Sequence, residues 1–99
     1  MKHKRSKATD IPQSVKNKVW ERDRHQCIIC YSYLAFPNAH YIPRSAGGLG
    51  IEENIVTLCN DCHRRYDQSS ERAYYGARIE AYLKKRYPNW DKEKLFYKK

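Results

Sequence analysis

Two matched cysteine pairs constrain this chain more than any other feature. Cys27-Ile28-Ile29-Cys30 and Cys59-Asn60-Asp61-Cys62 share the same two-residue gap, and residues 31–58 lie between them. A two-residue gap lets both sulfurs reach one tetrahedral ion, so the pairs predict a structural four-cysteine zinc site with no coordination position left for water. The insert is longer than a compact zinc ribbon needs, so it must be a folded excursion that returns. At 99 residues the chain has room for one core, and a metal staple suits a domain that small. Four free or redox-active thiols are the competing reading.

The surroundings narrow the setting. No apolar run reaches membrane-spanning length, and MKHKRSKATD lacks the apolar segment of a signal peptide. The expectation is a cytoplasmic chain, where reduced cysteines argue for metal over disulfides. Lys and Arg exceed Asp and Glu to leave a net charge of +9. Such a charge suits a polyanionic partner, although solubility alone accounts for a basic surface equally well. No membrane partner is expected, and the oligomeric state is not legible.

Read in order, residues 1–10 form a basic, flexible arm. Asp10-Ile11-Pro12 reads as a helix start, with Asp10 as a candidate cap and Pro12 in the first turn. Ile11, Val15 and Val19 make a core-facing stripe, Lys16, Lys18 and Arg22 face away, and the helix ends near Arg24-His25. Tyr31 to Phe36 leads across Pro37-Asn38 into a short strand, Ala39 to Ile42, that Pro43 ends. Ser45 to Gly50 is a glycine-rich loop, and Asn54 to Leu58 is the β-branched returning strand. A helix runs from Asp61 through Asp67. After the break at Gln68-Ser69-Ser70, with Ser70 as candidate cap, a second helix opens at Glu71 and stops at Pro88. Its apolar stripe is Tyr75, Ile79, Tyr82 and Leu83. The tail that follows interleaves Trp90, Phe96 and Tyr97 with lysines, a pattern read as packing on the core in preference to base stacking.

The stretch AHYIPRSAGGLGIEENIVTLCNDCHRRYD, Ala39 to Asp67, holds His40, Asn54 and His63 in that order, with Cys59 and Cys62 framing the last. With the upstream Cys27 and Cys30, it resembles the HNH endonucleases, the His-Me finger (ββα-metal) nucleases, in the form that carries a structural zinc. The resemblance covers roughly residues 12–68. It implies an α+β fold: a ββα-metal finger stapled by the four-cysteine zinc, with flanking N- and C-terminal helices. On this reading residues 11–70 are the nuclease core, and residues 71–99 are a helix and a basic-aromatic tail on the same domain.

The resemblance also assigns roles. His40 matches the general base that activates water, His63 the ligand of the catalytic ion, and Asn54 the central asparagine that ties the loop. Asp67, one helical turn after His63, can join it on the ion, because residues four apart share a helix face. Arg44 and Ser45 are candidate phosphate contacts. The substrate implied is DNA, cut to leave 5′-phosphate and 3′-hydroxyl ends. Mg²⁺ or Mn²⁺ is the expected catalytic ion, with Ni²⁺ or Zn²⁺ as the alternatives. By analogy, small proteins of this type accompany phage packaging or restriction functions.

One position departs from the pattern. Many relatives carry Asp, Glu or His just before the base, as a further metal ligand, and here that residue is Ala39. The departure supports an alternative, a zinc-stapled nucleic-acid adaptor with weak or no cleavage. A third reading makes the chain an accessory subunit of a larger packaging or restriction enzyme.

Overall fold

The computed structural model describes residues 4–98, with the side chains of residues 4–6 left aside. The elements in chain order are α1 (Lys4–Thr9), α2 (Gln13–Arg22), β1 (Ala35–His40), β2 (Ile55–Cys59), α3 (Asn60–Gln68) and α4 (Arg72–Arg86). Short 3-10 turns lie at Arg44–Ala46 and Lys92–Leu95. β1 and β2 form a two-stranded antiparallel sheet. α2 and α3 pack on it and α4 packs on α3, and Ala39, Val56, Leu58, Tyr66, Tyr75, Ile79, Leu83 and Leu95 are among the side chains that fill the core. This is the small α+β fold that the resemblance implies. Among the described residues no helix is long and apolar enough to cross a membrane.

The hairpin carries one irregularity. Phe36 pairs with Leu58, but Ala39 pairs with Val56, so β1 holds one residue more than its partner. The extra residue falls at Pro37-Asn38, where proline has no N–H to give to a ladder. The strand therefore starts at Ala35, four residues before the expected Ala39, and runs through the proline.

The outer edge of β2 is satisfied by side chains and one loop strand. Asp23 accepts the Thr57 N–H at 2.9 Å and the Tyr82 hydroxyl at 2.5 Å, while the Ile28 N–H donates to the Thr57 carbonyl at 3.0 Å. Arg22 binds both oxygens of Asp23 and donates to the carbonyls of Glu52 and Ile55, each at 2.7 Å, and to Tyr87 Oη at 3.1 Å. Burial alone would lower the Arg22 pKa, but its hydrogen bonds and attraction to Asp23 raise it further above its ordinary value. Arg22 was expected to face solvent. It turns inward because it can satisfy two carbonyls and a carboxylate at once.

Other boundaries shift for local reasons. Residues 1–3 of the expected arm lie outside the described residues, and Lys4–Thr9 is helical with Thr9 buried. α2 is preceded by Pro12 with no side-chain cap, and the Asp10 carboxylate meets Arg44 instead. α2 ends at Arg22, two residues before the expected Arg24-His25, and both of those residues sit at positive φ in the turn that follows. Before α4, Ser69 and not Ser70 receives the Glu71 N–H, at 3.0 Å. The tail adds backbone pairing to its packing: Leu49 donates to Leu95 and Tyr97 to Gly47, at 2.8 and 2.7 Å.

Two substitutions test this account in thermal unfolding. Asp23→Ala leaves Arg22 and the Thr57 N–H without their shared acceptor, so it should destabilise by about 3 kcal/mol or more. Thr57 Oγ1 is buried without a hydrogen-bond partner. Thr57→Val keeps the shape, removes the unpaired hydroxyl, and should stabilise by about 1 kcal/mol. A lowered Tm for Thr57→Val would contradict it.

Candidate active site

The cysteine pairs meet across the fold. Cys27 and Cys30 sit in the turn after α2, while Cys59 ends β2 and Cys62 lies in the first turn of α3. Their four sulfurs all lie within 4.8 Å of one another, and Cys30 Sγ is 3.6 Å from Cys59 Sγ. Zn–S bonds of about 2.3 Å in a tetrahedron require sulfurs roughly 3.8 Å apart, so the cluster could hold a metal such as zinc. Backbone N–H groups of Ile29 and Cys30 point at Cys27 Sγ at 3.4 and 3.5 Å, and that of Cys62 at Cys59 Sγ at 3.4 Å. Burial raises the Cys27 pKa, but backbone donors, Cys30 first, bring it below its ordinary value. Burial and the neighbouring Cys59 and Cys27 push the Cys62 thiol up. A nearby cation is what lets such a set ionise together.

A second centre forms on the other side of α3. An open cleft of about 720 Å³ is lined by Asn38, His40, Pro43, Arg44, Ser45, His63, Asp67 and Arg72. His40 comes from the end of β1 and His63 and Asp67 from successive turns of α3, so the packing of α3 on the sheet brings them together. His63 Nε2 lies 3.2 Å from Asp67 Oδ2. Two ligands of one octahedral ion at about 2.1 Å are separated by roughly 3 Å, so this pair fits adjacent positions on one hard cation.

His40 is half-buried, and its Nε2 lies 2.8 Å from the Thr9 carbonyl oxygen. Burial holds its pKa below the ordinary histidine value. The Thr9 carbonyl opposes this, Arg44 and His63 add to the lowering, and Asp67 opposes. Arg44 lines the cleft while its guanidinium pairs with Asp10.

Asn54 has no exposed surface and does not line the cleft. Its Oδ1 accepts the Ile42 N–H at 2.8 Å, and its Nδ2 donates to the carbonyls of Leu49 and Ile42 at 2.9 and 3.2 Å. These bonds close the loop that joins the strands. Ala39 is likewise fully buried, its methyl group in the core. Sequence reasoning missed Arg72, which reaches the cleft only because the α3–α4 turn folds it back. It also missed the Thr9 carbonyl, since a backbone oxygen leaves no mark in residue type.

Compared with protein families, residues 27–69 match the HNH endonuclease family. A relative, Anaredoxin from Nostoc sp. (strain PCC 7120 / SAG 25.82 / UTEX 2576), is 33% identical over 55 residues, which is 54% of this chain and 72% of that protein. No solved structure matches. The family match begins at the first clustered cysteine and takes in His40, Asn54, His63 and Asp67. By that match and that relative, the chain belongs to the HNH endonuclease family.

Proposed function

We propose that this protein is a metal-dependent endonuclease that hydrolyses phosphodiester bonds of DNA. The observation that carries this reading is the meeting of His40, His63 and Asp67 in one open cleft, within the stretch that matches the family. His40 takes a proton from the attacking water, a role that suits an imidazole kept neutral by burial. His63 and Asp67 hold a divalent ion, most simply Mg²⁺ or Mn²⁺, with water completing its shell. When bound, that ion supplies charge stabilisation to the phosphorane and to the leaving 3′ oxygen. Asn54 acts at a distance, by holding the loop between the strands. Arg72 and Arg44 border the cleft and offer cations to the flanking phosphates. The cysteine cluster, filled by zinc, anchors the turn after α2 to the start of α3.

Ala39 favours a second reading, a DNA-binding adaptor without cleavage, because its buried methyl offers no third metal ligand. Cleavage of supercoiled plasmid decides between the two. The zinc-loaded protein should nick or linearise DNA with Mg²⁺ or Mn²⁺ and not with EDTA, and His40→Ala should lower the rate by about 10²-fold or more. DNA shifted in a gel but uncut under every metal would favour the adaptor.

The acid side of the rate profile follows from the lowered His40 pKa. The working form is the neutral imidazole, so the rate should hold through pH 7 and fall only below the ordinary histidine range near 6.5. A fall already complete at pH 7 would contradict a buried His40 as base. Removing the cysteine-bound metal with a strong chelator should melt the fold cooperatively, followed by circular dichroism, with zinc restoring it. Unchanged melting in the chelated protein would remove the structural zinc.

A further inference from the structure

The segment that enters α2 is fastened across the hairpin loop by several independent contacts. The Gly50 N–H donates to the Ala8 carbonyl at 3.0 Å. A Cβ at Gly50 would stand 1.9 Å from the Asp10 carbonyl oxygen, so only glycine lets the two backbones lie this close. The Asp10 carboxylate is paired with Arg44 on the rim of the cleft. Thr9, between these anchors, is 3% exposed, and its carbonyl oxygen faces His40 Nε2 at 2.8 Å. All of Ala8 to Asp10 lies outside the stretch that matches the family.

A carbonyl oxygen can only accept. The hydrogen bond therefore requires the proton of the neutral imidazole to sit on Nε2, which leaves Nδ1 with its lone pair. From this geometry we infer that Ala8 to Asp10 form a clasp whose Thr9 carbonyl positions His40, fixing its ring and presenting Nδ1 as the proton acceptor. Thr9 is a positioning residue that acts through its backbone carbonyl. The inference rests on the endonuclease reading for its consequence in rate, but its structural content stands apart from that reading.

The contact makes an otherwise fast-exchanging imidazole proton observable. In the zinc-loaded full chain, ¹⁵N-histidine spectra at pH 8 should show His40 with a protected Nε2–H and an unprotonated Nδ1. Deleting residues 1–9, or Gly50→Ala in the intact chain, should abolish that protection while zinc stoichiometry is unchanged. In plasmid cleavage at saturating DNA the same two variants should lose about 10- to 100-fold in kcat. The inference is overturned by an Nδ1–H tautomer in the full chain, by a protected Nε2–H that survives the deletion, or by full kcat in both variants. If the full chain cuts no DNA, the endonuclease reading fails, and the imidazole proton still decides the clasp.

Discussion

The buried Arg22–Asp23 pair is the interaction on which the other parts depend. A two-stranded sheet has two open edges, and here the outer edge of β2 has no third strand among the described residues. Asp23 and Arg22 take over that pairing, accepting the Thr57 N–H and donating to the Ile55 carbonyl. Through Tyr82 and Tyr87 the same two side chains hold α4 against the sheet. A buried ion pair is worth having only when its remaining hydrogen-bonding atoms are also satisfied, and here they are. The pair ties α2, the hairpin and α4 together.

On that frame α3 serves two centres. Its first turn supplies Cys62 to the sulfur cluster, and its next residues supply His63 and Asp67 to the cleft. Adjacent positions on a helix point about a hundred degrees apart, so one short helix can face a soft donor set on one side and a hard one on the other. The loop opposite is closed by Asn54 from within, by Leu95 to Tyr97 on one flank and by Ala8 to Asp10 on the other. The two chain ends, which carry no family signature, thus brace the segment beside His40.

Much of this could be read from residue types. The Cys-x-x-Cys spacing pointed to a cluster because the gap itself sets the reach of the sulfurs, and the i, i+4 placement of His63 and Asp67 set them on one face. Strand boundaries were less legible. The strand was expected to begin only at Ala39, but it begins at Ala35 and crosses Pro37 at a bulge. Arg22 read as a surface residue because its periodicity was outward, and nothing in local pattern announces a carboxylate and two carbonyls waiting inside.

What the sequence determined by itself was the inventory and its local geometry: four sulfurs in two matched turns, a base at the end of a strand, and two metal-type ligands one helical turn apart. These depend on contacts within a few residues, which spacing encodes. Only the tertiary structure decided that Thr9 faces His40, that Arg44 pairs with Asp10, that Arg72 borders the cleft and that the tail clasps the loop. Those contacts join residues far apart in the chain, several through backbone atoms that every residue shares. Side-chain chemistry cannot announce a partner that only the packing of distant segments on the hairpin and its loop brings near.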